Sequence, residues 1–322
     1  MTHRNVVFSI AAFLLCFSGC SKTNLRSSLH QDLPTIEKQS RLLAVYEPWF
    51  GHPRHINVGY STQDPAVIRK QIDEAKSLGI TGFVIDWYGD REPFIDQSYA
   101  LIQKTAGEKN FQVAMMWDEI GDDNLATEDS LNGFEKFHQT YLSPDAPGRD
   151  AYLTYNGRPV IFIFPKSGHT DWDQVRERVN QWKPAPLLIF EDRNTGKYSN
   201  DFDGYYAWVN PGQKGWAPDG SNWGKDYLQG FYRRMQNKYP DKIAVGAAWA
   251  GFNDSRASWS LGRYMSQRCG ETFTDTLKMS REYASDHPLP FVLVETWNDY
   301  EEGTAIERGL AKCGSDRVPA GQ

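Results

Sequence analysis

Residues 64–89, "DPAVIRKQIDEAKSLGITGFVIDWYG", predict one helix followed at once by one strand. Asp64 is a suitable N-cap, Pro65 suits the first helical position, and Gly79 suits the residue that stops a helix. The apolar residues between them recur at helical spacing and share one stripe: Ile68, Ile72, Ala75 and Leu78. An apolar β-type run, 81–88, follows directly. This stretch is therefore typical of one unit of an α/β fold.

The same alternation continues along the rest of the chain. The other apolar β-type runs are 41–50, 111–119, 158–165, 186–192, 203–209, 242–251 and 290–299. The other helix candidates are about 94–107, 129–142, 171–182, 225–238 and 273–286, whereas 193–202 is too short for a full helix. Eight strands with helices between most of them predict a single (β/α)8 TIM barrel over 41–322. A doubly wound open sheet is the alternative, but it usually has fewer strands, and no glycine-rich dinucleotide fingerprint is present.

The first forty residues are predicted to export and tether the chain. Residues 1–20 have a short polar start, an apolar run too short to span a bilayer, and small residues before Cys20. This pattern resembles a bacterial lipoprotein signal peptide with Cys20 as the lipidated residue; an ordinary signal peptide is the alternative. Residues 21–40 are polar and aperiodic, as in a flexible tether. We therefore expect a lipoprotein anchored to a bacterial membrane, in the periplasm or on the cell surface, where Cys269 and Cys313 could pair or remain thiols.

The composition favours a sugar ligand over nucleic acid. The chain of 322 residues carries a net charge of -6, whereas nucleic-acid binding needs basic patches. Its 11 Trp and 16 Tyr residues supply flat rings that suit sugar faces, although the same rings also fill cores. The histidines form no HxH or HExxH pattern, so neither a metal ion nor another cofactor is predicted. The lack of a Gly-x-Ser-x-Gly elbow weakens a serine hydrolase interpretation.

Acids and tryptophans stand at the ends of most predicted strands, and the active site of a TIM barrel lies at the C-terminal strand ends. A single acid there could be a helix cap or a loop charge, but caps do not require a tryptophan beside each acid. In the last run, side-chain alternation predicts that Phe291, Leu293, Glu295, Trp297 and Asp299 face the lumen. A glutamate buried there is costly unless it is paired or used.

Several carboxylates between aromatic walls fit cleavage of a glycosidic bond. That reaction needs one acid to protonate the leaving oxygen and a second carboxylate that acts as nucleophile or base. Crowding of like charges raises the pKa of one carboxyl group and keeps it protonated near neutral pH. A metal-dependent hydrolase and a non-catalytic glycan-binding surface lipoprotein on the same barrel are the alternatives.

Two motifs resemble a known family. The segment "WNDYEEGTAIE" (297–307) resembles the strand-8 signature of bacterial glycoside hydrolase family 99 endo-α-mannosidases and mannanases, and also an element of family 71 endo-α-1,3-glucanases. The segment "YEPWFG" (46–51), together with 59–89, is similar to the family 99 opening. The resemblance spans about 43–308, but its specific motifs lie at these two ends. It implies an endo-acting hydrolase of α-mannan or α-1,3-glucan.

The resemblance also implies roles for the acids after the last strand. Asp299 takes the position of a glutamate that assists the substrate 2-hydroxyl in attacking its own anomeric carbon, and Glu302 that of the general acid/base. Glu295 lies where a substrate-binding acid is expected. Two departures are Asp for Glu at 299, one methylene shorter, and Glu301 for His. We interpret Glu301 and Glu307 as loop or helix-start charges outside the chemistry.

The predicted site therefore has Asp299 and Glu302 as its catalytic pair. The predicted substrate contacts are Glu295, Trp297, Asn298, Tyr46, Glu47, Trp49, His52, Tyr60, Asp86, Trp87, Trp117, Asp118, Glu191, Trp208 and Trp249. The expected partner is an oligosaccharide or polysaccharide. We expect a monomer that binds no nucleic acid and reaches the membrane only through its lipid.

Overall fold

Eight parallel strands close into a barrel in the computed structural model, which describes residues 40–119, 123–166, 168–193, 195–210, 216 and 219–312. The strands are β1 (Arg41–Tyr46), β2 (Gly82–Trp87), β3 (Gln112–Asp118), β4 (Arg158–Phe164), β5 (Leu187–Glu191), β6 (Gly204–Tyr206), β7 (Ile243–Trp249) and β8 (Phe291–Glu295). Their order is β3-β2-β1-β8-β7-β6-β5-β4, and pairing of β3 with β4 closes the ring. All eight predicted strands are present, so the predicted TIM barrel is confirmed.

Six α-helices occupy the links between strands within the described residues. They are α1 (Pro65–Ser77), α2 (Pro93–Lys109), α3 (Ala126–Tyr141), α4 (Trp172–Val179), α5 (Lys225–Asn237) and α6 (Glu271–Ala284). The Asp64 carboxylate accepts the backbone N–H of Ala66 at 2.8 Å and caps α1 as predicted. Leu78, in contrast, lies just beyond the helix and is exposed. The β5–β6 link holds only a 3-10 turn, Gly196–Asn200, and no helix follows β8 up to residue 312.

Alternate strand residues fill the barrel interior. This lumen core comprises Leu43, Val45, Val84, Ala114, Met116, Val160, Phe162, Leu187, Ile189, Tyr206, Val245, Phe291 and Leu293. The residues between them, such as Ala44, Phe83 and Ile161, pack against the helices. Burial of each large apolar side chain contributes about 1.5–3 kcal/mol, so a one-residue slip of any strand would be costly. The core thus decides which residues beyond it face the lumen.

The chain ends lie outside the described residues. The predicted signal peptide, Cys20, all but the last residue of the predicted tether, and Cys313 are in the ranges 1–39 and 313–322. Lipidation and the pairing of Cys269 therefore stay predictions. Within the ranges that the structure describes, none of the helices has the length and apolar character needed to cross a membrane.

Candidate active site

Five carboxylates from five strands lie directly above the lumen core, at the C-terminal ends of the strands. We call them the acid layer: Glu47, Asp86, Asp118, Glu191 and Glu295. Their position follows from the two-residue period of a strand, because each lies two residues beyond a lumen-facing core residue. All five are between 0% and 7% exposed. Buried acids in such number are costly to folding, which marks the layer as a candidate functional site.

The acids of β1, β2 and β3 interact electrostatically. Burial raises the pKa of Glu47 well above the usual range, and the charge of Asp86 raises it further. Burial likewise raises the pKa of Asp86, and the charge of Asp118 adds to that rise. Burial also raises the pKa of Asp118, while the nearby Lys166 ammonium opposes the rise. Glu47 Oε2, Asp86 Oδ1 and Asp118 Oδ1 are buried and make no hydrogen bond within the described residues. These three oxygens are therefore available to accept hydrogen bonds from the hydroxyl groups of a ligand.

Lys166 brings a positive charge to the acid layer. Its Nζ lies 2.6 Å from Asp118 Oδ2 and 5.6 Å from the centre of the Tyr88 ring. The backbone N–H of Lys166 donates to Glu119 Oε2 at 2.9 Å, which fixes where the side chain starts. Burial opposes the charged form, but Asp118 and Asp86 outweigh it and raise the pKa of Lys166. The ammonium therefore stays charged and offsets part of the negative charge of the layer.

The other two members of the layer lie on β5 and β8. Glu191 Oε2 is 2.8 Å from Arg193 Nε. Glu295 is completely buried; burial raises its pKa well above the usual range, the backbone of Val209 opposes this, and Glu191 adds to it. Both carboxylate oxygens of Glu295 are buried and make no hydrogen bond within the described residues, like those singled out on the acids of β1, β2 and β3. That Glu295 contacts substrate stays a prediction.

The chain turns away from the sheet earlier than predicted, since β8 ends at Glu295 and not near residue 299. Residues 298–302, which we call the lip, follow this turn. Asn298 Oδ1 accepts the backbone N–H of Glu47 at 2.7 Å, and Asn298 Nδ2 donates to the Glu47 carbonyl at 2.9 Å. The Tyr60 hydroxyl lies 3.4 Å from the same Nδ2. Of the predicted substrate contacts, Asn298 therefore holds the backbone of Glu47 in place, and Tyr60 contacts Asn298.

Asp299 is anchored through one of its two oxygens. Its Oδ1 accepts the backbone N–H groups of Glu301 and Glu302, each at 2.9 Å. Burial raises the pKa of Asp299 well above the usual range and the Glu302 charge raises it further, while the two amide hydrogen bonds oppose the rise. Oδ1 of Asp299 is therefore committed to the lip.

Glu302 is held from the opposite side by a separate loop. Its Oε1 accepts the indole N–H of Trp259 at 3.0 Å and lies 3.6 Å from Arg263 Nη2. Burial raises the pKa of Glu302, and these two neighbours oppose the rise. Since the ionised Glu302 also raises the pKa of Asp299, the two carboxyl groups titrate as a pair. The pair can hold a single proton at pH values where two isolated carboxyl groups would both be ionised.

Glu301 and Glu307 lie in the loop after β8, in agreement with their interpretation as loop charges, and both have structural partners there. Glu301 is buried, with Oε2 2.8 Å from Nδ1 of His55. Glu307 Oε2 accepts the hydroxyl groups of Tyr60 at 2.9 Å and Tyr300 at 2.6 Å. The two acids therefore tie the loop after β1 to the segment after β8.

Most of the predicted aromatic walls belong to the protein core. Trp87 donates its indole N–H to Asp96 at 3.1 Å, and Trp117 donates to Ser130 at 3.2 Å, both between barrel and helices. The physical reason is side-chain alternation, since a tryptophan adjacent to a lumen-facing acid within a strand must point the other way. Their assignment as sugar-stacking residues is therefore wrong.

Three further predicted contacts are also core residues. Trp297 is completely buried with its ring centre 5.6 Å from that of Phe83, so it does not share the lumen face with Glu295 as predicted. Trp249 is completely buried and donates to the carbonyl of Trp223 at 3.0 Å. The Tyr46 hydroxyl donates to a buried glutamine of α1 at 2.7 Å. These contacts fix the side chains inside the packing.

The remaining predicted aromatic residues lie around the mouth. Trp49 is largely buried and stacks on His55, with ring centres 4.9 Å apart. His52 is partly exposed, with its ring edge-on to Phe94 at 5.3 Å. Trp208 is partly exposed as well, and its ring meets that of Phe164 at 5.1 Å. Of the predicted rings, His52, Tyr60 and Trp208 are thus the ones that are partly exposed.

The structure adds five mouth residues that the sequence reasoning missed: Tyr88, Lys166, Arg193, Trp259 and Arg263. Tyr88 is the last residue of the predicted strand 81–88, and extending the predicted strands 158–165 and 186–192 by one residue would have included Lys166 and Arg193. Trp259 and Arg263 lie in the long link between β7 and α6, where no periodic signal places a side chain.

In the described part of the chain, no three His, Cys, Asp or Glu side chains are grouped so that they could hold a metal ion. The prediction that no cofactor is needed stays a prediction.

Comparison with known proteins places the fold among glycoside hydrolases. No protein-family model and no curated protein matches the sequence. The family 99 endo-α-mannosidase from Bacteroides thetaiotaomicron has a similar structure, with a TM-score of 0.63 at 19% identity over 83% of this chain and 87% of that chain. A glycoside hydrolase-like protein matches with a TM-score of 0.55 at 13% identity over 84% of this chain and 87% of that chain.

A third similar structure is the family 5 mannosidase from Rhizomucor miehei in complex with mannosyl-fructose, with a TM-score of 0.54 at 9% identity over 80% of this chain and 82% of that chain. At such identities the likeness establishes the barrel fold. The family 99 resemblance read from the two sequence motifs is therefore confirmed at the level of the fold.

Proposed function

We propose that this protein is a glycoside hydrolase that cleaves α-linked polysaccharide, with Asp299 and Glu302 as its working carboxylates. The observation that carries the proposal is the pairing of these two acids at the barrel mouth. One is anchored by backbone amides and the other by Trp259 and Arg263, and their pKa values are raised by burial and, for Asp299, by the charge of Glu302. Such a pair can present one protonated and one ionised carboxyl group at the same pH.

The chemistry assigned to each acid follows the resemblance to family 99. Asp299 Oδ2 takes the proton of the sugar 2-hydroxyl while that oxygen attacks the anomeric carbon. Glu302 gives its proton to the departing glycosidic oxygen, so the glycosidic bond breaks as the new C–O bond forms. Glu302 then takes a proton from water, which opens the three-membered ring at the anomeric carbon, and Asp299 returns its proton to the 2-oxygen.

The acid layer serves binding in this proposal. Glu47, Asp86 and Asp118 offer buried oxygens without hydrogen-bond partners among the described residues, and these accept hydrogen bonds from sugar hydroxyl groups. Lys166 adds a donor beside them. Mannan-type substrates are proposed first, because two of the similar structures are an endo-α-mannosidase and a mannosidase. An α-1,3-glucan is the second substrate class, from the resemblance of "TWNDY" to family 71.

The test is to incubate the purified protein with an α-mannan and α-glucan panel, and to follow the released anomer by NMR. Glu302→Gln keeps the side-chain shape and is expected to lower kcat by about 10²- to 10⁴-fold, the usual contribution of a general acid. Glu282→Gln is the matched control, since that glutamate is 64% exposed on α6. Undiminished turnover in Glu302→Gln would sink the proposal, and sugar binding without any turnover would favour a glycan-binding lipoprotein.

We also propose export and lipid attachment at Cys20, on the strength of the sequence pattern alone. Metabolic labelling with a radioactive fatty acid is expected to mark the wild-type chain and not Cys20→Ala. Equal labelling of the two would rule out Cys20 as the lipidated residue.

A further inference from the structure

The link between β7 and α6 forms an ordered loop beside Glu302. Its ends pair as a short antiparallel ladder, Phe252–Asn253 with Tyr264–Met265, and we call residues 252–265 the arm. Inside it, the completely buried Asp254 accepts the backbone N–H groups of Leu261 and Arg263, each at 2.9 Å. Arg263 Nε adds a 2.8 Å contact to the same carboxylate. Hydrogen bonds within the arm therefore fix its shape.

The arm carries a large aromatic ring that is open to solvent next to an acid of the lip. Trp259 is 42% exposed, although its indole N–H is committed to Glu302 Oε1 at 3.0 Å. Its ring also meets His55 edge-on, with centres 6.5 Å apart. A tryptophan whose polar edge is bound while its flat surface stays open is suited to stacking on a ligand ring. It differs in this from Trp87 and Trp297, which are completely buried.

The hydrogen bond from Trp259 and the nearby guanidinium of Arg263 also decide which Glu302 oxygen carries the proton. Trp259 and Arg263 both approach Oε1, and N–H donors need an oxygen that is free to accept. The proton of a neutral Glu302 therefore resides on Oε2. The glycosidic oxygen that receives this proton belongs to the leaving sugar, so residues that border Glu302 lie on the leaving-group side of the scissile bond.

We propose that Trp259 has two roles: it positions the Glu302 carboxyl group through its N–H, and it provides the stacking surface for the sugar ring on the leaving-group side. The proposal rests on the proposed function for the role of Glu302. It makes the arm a specificity-determining element, because the ring size and linkage of the leaving sugar decide whether it can lie flat on the indole. A mannan-type chain that continues past the scissile bond fills this surface, whereas a substrate with a small leaving group does not.

Two substitutions separate the two roles. Trp259→Phe removes the N–H and keeps an aromatic surface, whereas Trp259→Gln keeps an N–H donor and removes that surface. Leu261→Ala is the control from the same arm, because the Leu261 side chain is 78% exposed. The titration of Glu302 is followed by NMR of protein carrying ¹³C-labelled glutamate, with the signal identified by Glu302→Gln. Binding of α-mannan oligosaccharides is measured by calorimetry in an Asp299→Asn background, so that the ligand stays intact.

Trp259→Phe is expected to raise the pKa of Glu302, since the lost hydrogen bond favours its ionised form, and to leave oligosaccharide affinity within about twofold. Trp259→Gln is expected to weaken binding by about tenfold, the value of one aromatic contact, with a smaller change in titration. If Trp259→Phe leaves the Glu302 titration unchanged, Trp259 does not position that carboxyl group. If Trp259→Gln binds as tightly as Leu261→Ala, or if the wild-type site binds no oligosaccharide, the stacking role is overturned. If Trp259→Phe raises the pKa of Glu302 and Trp259→Gln weakens oligosaccharide binding, but the wild-type protein hydrolyses no α-glycan, both roles of Trp259 are upheld and the proposed function is rejected.

Discussion

The two sides of the barrel mouth place their acids by different means. Glu47, Asp86 and Asp118 point inward from the ends of neighbouring strands, so their positions are fixed by strand register. Asp299 and Glu302 lie beyond the end of β8, in a turn held by backbone amides and by the arm. One side is thus part of the regular barrel, and the other is a separately built lip.

The hydrogen bonding of the two sides also differs. The strand-end acids keep buried oxygens that have no hydrogen bond among the described residues, and Lys166 is close to Asp118 and Asp86. In the lip, Asp299 Oδ1 and Glu302 Oε1 both accept hydrogen bonds, and the proposed reaction uses the second oxygen of each acid. Open acceptors suit the binding of hydroxyl groups, whereas half-anchored carboxyl groups suit proton transfer in a fixed direction. The proposed function accordingly divides binding and reaction between the strand-end acids and the lip.

The largest expected effect is on kcat, and it comes from comparing the same Asp→Asn substitution in the lip and in the acid layer. Asp299→Asn is expected to lower kcat by about 10²- to 10⁴-fold with little change in KM, because only proton transfer is removed. Asp118→Asn is expected to act chiefly on KM, raising it by about tenfold through the loss of one charge-assisted hydrogen bond. Both parameters are measured on whichever α-glycan of the panel is cleaved. An equal loss of kcat in the two variants would show that reaction and binding are not divided between the two sides.

The same comparison shows how much of the site could be predicted from sequence. The eight strands were found because apolar runs of strand length are a strong signal, and the five acids of the layer follow once their strands are placed. Side-chain alternation alone separates Trp87 and Trp117 from the acids beside them, so their position in the core is predictable from the strand pattern. The turn after Glu295 and the arm that carries Trp259 could not be predicted, because hydrogen bonds between distant segments fix both.

A smaller effect is expected from removing the positive charge on the binding side. Lys166→Met leaves Asp118 and Asp86 without their cation, so the pKa of both carboxyl groups rises and they accept hydrogen bonds less well. We expect KM to increase several-fold, up to about tenfold, and kcat to change less. Lys70→Met is the control, since that side chain is 74% exposed on α1. A fall in kcat at unchanged KM would instead assign Lys166 to the reacting side.

The smallest expected effect concerns stability, and it tests Glu295, the most deeply buried acid of the layer. Burial raises the pKa of Glu295 in the folded protein above its unfolded value of about 4.3. Between these two pKa values the folded state therefore binds more protons than the unfolded state. The free energy of unfolding therefore falls between about pH 4 and the folded pKa of Glu295. Glu295→Gln removes this dependence, so it is expected to match the wild type near pH 4 and to exceed it at pH 8 by about 1–3 kcal/mol, or a few degrees in Tm. Calorimetric melting across this pH range, with Glu282→Gln as the exposed control, measures the difference. A constant offset at every pH would mean that Glu295 is paired in the fold and does not carry the burial cost assigned to it, and the acid layer would then resemble the lip more closely than the structure indicates.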